Sequence, residues 1–214
     1  MRETEDLIDS LVRDLKPVPR HALERRFALA VLPALAVSLL LMLIVLGLRT
    51  DMTQALMLPA FWIKSAYNAL LAIAAFAAVY RLSRPDGSEG RFFGIAAAII
   101  LALAVMAVIQ LALSPAASYP VLVLGSSALH CPLLIFAFAM PILIANTWAL
   151  RGGAPSNLGI TGFIAGIAAG ASGAWVYSWF CTENGLPFVT LWYSLGILLT
   201  GAIGALLGPR LLRW

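Results

Sequence analysis

The sequence predicts an all-α, polytopic membrane protein with six transmembrane helices preceded by a short cytoplasmic amphipathic helix. Hydrophobic residues make up 62% of its 214 positions and charged residues only 11%, far outside the range of soluble domains. Apolar runs long enough to cross a bilayer recur along the chain. One stretch ahead of them, Thr4 to Arg20 (TEDLIDSLVRDLKPVPR), reads as a water-soluble element. It divides the chain into a cytoplasmic segment over 1–26 and a membrane domain over 27–214.

In that opening stretch Leu7, Ile8, Leu11, Val12 and Leu15 recur at helical spacing, with Glu5, Asp6, Asp9, Ser10, Arg13, Asp14 and Lys16 on the other face. Thr4 suits an N-cap, Glu5 and Asp6 the positive end of the helix dipole and Lys16 the negative end, and Pro17 stops the helix. So short a helix needs a partner for its apolar face. The polar face is more acidic than basic, which suits anionic lipid poorly. A groove in a soluble protein that takes Leu7, Leu11 and Leu15 fits better. Packing on the protein's own cytoplasmic loops is the competing reading.

The first apolar run, Phe27 to Leu48, is one span long, too long for a signal peptide and without a small-residue cleavage site. The second runs from Pro59 or Phe61 to Tyr80, with Lys64 near its start able to snorkel to the headgroups. No charge occurs between Arg91 and Arg151, and Ser114, Pro115, Ser118, Pro120 and Gly125 interrupt that stretch, so it holds two helices, Phe92 to Leu113 and Leu129 to Leu150, joined by an uncharged loop. Leu158 to Phe180 and Val189 to Leu207 complete the set, the last closed by Gly208, Pro209 and Arg210. Gly162, Gly166 and Gly170 form a small-residue stripe for close helix packing.

Of the 14 basic residues, only Arg49 and Lys64 fall on one side of this topology. Both termini are therefore expected in the cytoplasm of a bacterial inner membrane, and the net charge of +4 reflects insertion rather than nucleic-acid binding.

Cys131 and Cys181 both reach the outer surface, because about 30 Å of helix separates Cys131 from Leu150 and about 36 Å separates Leu158 from Cys181. Three readings stay open for the pair: a redox or soft-metal switch, a structural disulfide, and two inert buried thiols. His130 beside Cys131 is a candidate third metal ligand, although the spacing matches no structural zinc motif. The chain has no CxxC, no phosphate-binding glycine loop, no HExxH and no nucleophile elbow, so an enzyme is not expected, nor a resident cofactor beyond transient metal capture at the cysteines. The alternative function is a small-solute transporter or channel with a structural disulfide. It is disfavoured by spans nearly free of ionisable residues, with only Asn68, Gln110 and Asn146 as polar amides.

The opening TEDLIDSLVRDLKPVPR, the six spans and one cysteine at the outer end of each of helices four and five resemble the NrsF family of membrane-bound negative regulators of extracytoplasmic-function (ECF) sigma factors. The resemblance covers the whole chain. It implies an anti-sigma factor that holds its sigma factor at the membrane and releases it on heavy-metal or oxidative stress, with Cys131 and Cys181 needed for the response. The sigma-factor contact then falls on Leu7, Ile8, Leu11, Val12, Asp14, Leu15 and Pro17, with Leu11, Asp14, Leu15 and Pro17 in the most family-like part. The partners implied are the sigma factor and the bilayer; oligomeric state is not legible.

Overall fold

The computed structural model describes residues 21–85 and 87–213. The predicted contact residues Leu7 to Pro17 lie outside them. Among the described residues six helices are long and apolar enough to cross a membrane: α1 (Ala22–Val45), α3 (Pro59–Leu82), α4 (Gly90–Leu113), α6 (His130–Leu150), α7 (Leu158–Tyr177) and α8 (Leu186–Leu211). Two short α-helices, α2 (Met52–Ala55) and α5 (Tyr119–Leu124), lie among the described residues in the connections on the side away from the termini, hereafter the distal side.

The most buried span is α7, packed against α8, α6 and α3. Its sequence explains its central place. Small residues present so little side chain that neighbouring backbones reach it directly. A Cβ added at Gly162 would lie 2.2 Å from the Gly204 carbonyl oxygen, at Gly166 2.4 Å from that of Thr200, and at Gly173 2.7 Å from the Ala139 nitrogen and Ile135 oxygen of α6. The glycine stripe is thus an internal seam of one chain. On the outside, α1 leans on α6 through Val31, Ala34 and Leu35 against Ala139, Ile142 and Leu143, and buried Ser38 donates to the Phe138 carbonyl at 2.6 Å.

The expected spans are present with shifted ends. Helix α1 begins at Ala22 rather than Phe27, because Arg25 and Arg26 occupy its first turns and long basic side chains reach the headgroups from inside a helix. It stops at Val45, where Gly47 turns the chain at a φ of 78°. Helix α8 passes through Gly208, Pro209 and Arg210 instead of ending there. A Cβ at Gly208 would fall 2.3 Å from the Leu158 carbonyl oxygen, so packing holds this last turn despite the proline. It also starts earlier, at Leu186, and contains a π-helical turn over Val189–Tyr193. The uncharged loop after α4 carries α5, and α7 gives way to a turn at Ser178 before Phe180.

Lys64 corrects a further expectation. It does not snorkel: it is 0% exposed, and its Nζ turns inward to two backbone carbonyls beside Cys181.

Candidate functional site: a buried thiol pair

Cys131 occupies the first turn of α6 and Cys181 the bend after α7, whose amide donates to the Tyr177 carbonyl at 3.0 Å. The antiparallel α6–α7 pair brings them together on the distal side, and the two thiols face each other. Both are free and buried, at 0% and 3% exposure, so a reagent reaches them only after local opening. The Tyr177 hydroxyl sits 3.1 Å from Cys131 Sγ and the Ser127 hydroxyl 3.3 Å from it. Tyr193, from the π-helical turn, packs its ring on Tyr177 at 5.9 Å. Its fully buried hydroxyl faces Cys181 without a well-formed hydrogen bond among the described residues.

A basic frame surrounds this cluster. Lys64 Nζ donates to the carbonyls of Cys181 and Glu183, both at 2.9 Å, and lies 5.8 Å from the Tyr193 ring centre. Arg49, 4% exposed, donates to the Cys181 carbonyl at 3.3 Å while its Nε and Nη2 grip Asp51 at 2.7 Å each. That pairing raises the Arg49 pKa and lowers that of Asp51. The Glu183 carboxylate closes the frame, accepting from the Ser126 amide at 2.7 Å and from the hydroxyls of Ser126 and Ser127. It fills the space where a Cβ on Gly125 would sit, and Gly125 has a φ of 53°, so glycine is required there twice over. Glu183 thereby ties the Cys181 bend to the turn that opens α6.

The chemistry is that of an asymmetric dithiol. The neighbouring Cys131 thiol and then the Lys64 charge hold the Cys181 pKa below the ordinary thiol range, against a burial that pushes it up. Cys181 is therefore the readier nucleophile. His130 does not join it: it is exposed at the start of α6, and among the described residues no three His, Cys, Asp or Glu side chains gather in a metal-holding group. A soft metal ion captured here would have two sulfur ligands.

A family model described as NrsF, negative regulator of sigma F, matches residues 11–214. The chain is a member of the NrsF family. It is 41% identical over 212 residues, 99% of each chain, to the anti-sigma-F factor NrsF of Caulobacter vibrioides (strain NA1000 / CB15N). It is 37% identical over 212 residues to the probable anti-sigma-F factor NrsF of Azospira oryzae (strain ATCC BAA-33 / DSM 13638 / PS), covering 99% of this chain and all of the relative. No solved structure matches. The NrsF match begins at Leu11, so it includes Leu11, Val12, Asp14, Leu15 and Pro17 and leaves out Leu7 and Ile8.

Membership in the NrsF family gives the protein a regulatory role. Sequence reasoning placed both cysteines at the outer surface but missed Lys64, Arg49, Tyr177 and Tyr193 beside them. One signal for the first two was available: they are the two basic residues left on the cysteines' side when positive charge is counted across the loops.

Proposed function

We propose that this protein is an anti-sigma factor of the bacterial inner membrane, which sequesters an ECF sigma factor in the cytoplasm through the segment around Leu7 to Pro17 and releases it on a signal at Cys131 and Cys181. The observation that carries the reading is a family match running unbroken from Leu11, ahead of the first span, to the end of the chain. The preponderance of arginine on the side of the termini supports their cytoplasmic placement. Apolar anchors Leu11 and Leu15 fill a groove on the partner while Asp14 meets the basic surface that a sigma factor offers to promoter or polymerase.

For the signal, two thiols that face each other in one buried cluster suit a two-electron oxidation. Hydrogen peroxide takes two electrons and the two thiol protons and leaves as two waters, and a Cys131–Cys181 disulfide forms. Capture of a soft metal ion between the two sulfurs is the other form of the same switch. The transporter alternative gains nothing from the fold: α7 fills the centre of the bundle, and Lys64 and Asn68 are turned onto carbonyls rather than into a channel.

Co-purification from detergent tests the reading. The full chain is expected to retain a sigma factor that the chain lacking residues 1–17, or carrying Leu11→Asp, loses at equal protein level. Equal retention by the truncated and full chains would remove the N-terminal contact from the mechanism.

A further inference from the structure

The thiol pair and the start of α1, which follows the proposed partner-binding segment in the sequence, lie at opposite ends of the membrane domain, and one helix reaches both ends. Helix α6 begins beside Cys131 on the distal side and ends at Leu150 on the side of the termini. There Trp148 meets Arg26 of α1, the helix that continues directly from the N-terminal segment. Arg26 Nη2 donates to the Trp148 carbonyl at 2.9 Å, and the guanidinium lies over the Trp148 ring 4.6 Å from its centre. Gly152 makes room for it: a Cβ there would fall 2.4 Å from Arg26 Nη1. An arginine that only supplied positive-inside charge needs neither the stack nor the glycine.

Between its ends α6 comes closest to a neighbouring backbone at Gly173 of α7. Gly173 of α7 approaches the backbone at Ile135 and Ala139 so closely that a Cβ would lie 2.7 Å from Ala139 N. Looser ties flank this contact: Pro132 against Gly196 of α8, where a Cβ would lie 3.1 Å from the Pro132 Cα, and Asn146, which donates to the Ala165 carbonyl at 3.2 Å. The Gly173 contact is the tighter and cannot separate without opening the α6–α7 seam. Cys131 lies about 12 Å to one side of Ala139 and Trp148 about 14 Å to the other, at 1.5 Å per residue. A tilt of α6 about this contact moves its two ends by similar distances in opposite directions. Pro141, just past the contact, removes one backbone hydrogen bond at the pivot.

We propose that Arg26 is a positioning residue that couples the thiol pair to the N-terminal segment: α6 tilts about its contact with Gly173, and the tilt opens the Arg26–Trp148 clasp that holds the start of α1. The inference rests on the function proposed above for what the segment binds, but the coupling itself is a property of this chain alone. The two states differ in whether the clasp is made, which supplies the differential contact that a two-state element needs.

The test is amide hydrogen exchange by mass spectrometry on the full chain in detergent, with no sigma factor present. The distal end is perturbed in two ways: oxidation with diamide, followed by alkylation to count free thiols, and the substitution Cys131→Phe, which overfills a position with no exposed surface. Exchange over residues 21–30 is expected to change at least about threefold under one or both. In Arg26→Lys, which keeps the charge needed for topology, and in Gly152→Ala, which leaves Arg26 in place, exchange there is expected to be fast before any perturbation and to respond to neither. With Arg26 and Gly152 in place, a 21–30 region unchanged both by Cys131→Phe and by diamide overturns the coupling. A response that persists in both clasp variants removes Arg26 from the route. Sigma-factor retention is measured separately, so loss of the functional reading would leave the exchange result standing.

Discussion

Lys64 and Cys181 are separated by more than a hundred residues, yet the Lys64 amine completes the backbone around that thiol with two 2.9 Å hydrogen bonds and no exposed surface. Removing it with Lys64→Met leaves the Glu183 carbonyl without its donor and the Cys181 carbonyl with Arg49 alone, a loss of about 1–3 kcal/mol for the unsatisfied group. Thermal unfolding in detergent should register that loss. The same variant should alter thiol reactivity. Cys181 ionises below the usual thiol range chiefly because of Cys131, then Lys64, so at neutral pH its thiolate fraction exceeds that of an ordinary cysteine. Either Cys131→Ala or Lys64→Met raises the pKa, and the pH profile of Cys181 alkylation by iodoacetamide moves to higher pH, further for Cys131→Ala. A profile that stayed in place in both variants would deny the two groups that role. Asp51 behaves in the opposite sense to a raised group: Arg49 lowers its pKa, so their pairing is intact above the ordinary aspartate range and lost only as pH falls through the lowered value.

Helices α7 and α8 lie so close that glycine is a requirement along one face and indifferent elsewhere. A Cβ at Gly166 meets the Thr200 carbonyl oxygen at 2.4 Å and the Gly201 Cα at 2.8 Å, and neither backbone atom can yield without parting the helices. Gly166→Ala is expected to cost about 1–3 kcal/mol of stability by overpacking. Gly94→Ala on α4, where nothing lies within 4 Å, should be neutral or slightly stabilising through helix propensity. Denaturation in mixed micelles separates the two; equal effects would mean that the α7–α8 seam is not under backbone contact. The stripe itself was readable from the spacing of Gly162, Gly166 and Gly170. The π-helical turn at Val189–Tyr193 was not: its residues are ordinary, and it sets the place at which the ring of Tyr193 enters the site beside Tyr177.

Across the whole molecule, the proposed division of labour separates binding from sensing. Cys131→Ser and Cys181→Ser are each expected to leave sigma-factor retention intact in unstressed cells and to blunt release by oxidant or soft metal, read as expression from a sigma-dependent reporter. Normal induction in both variants would reduce the pair to a structural role. Leu11→Asp should act the other way, with the reporter high at all times and the protein still inserted at its usual level.

Six spans, their order and the segregation of arginine to one side follow from residues taken one window at a time, because the free energy of placing a segment in lipid is set by its own side chains and their flanking charges. The meeting of Cys131 with Cys181 was legible for a related reason: antiparallel neighbours joined by a short turn return the chain to its starting depth. The site's remaining groups come from elsewhere. Lys64 arrives from α3, Arg49 from the bend after α1 and Tyr193 from α8, and the Arg26 clasp joins the first helix to the fourth span. Which helices become neighbours depends on how small residues along α7 let several backbones close on one axis at once. That many-body packing has no signature in any single window, so only the folded bundle decided where those charges and hydroxyls would converge.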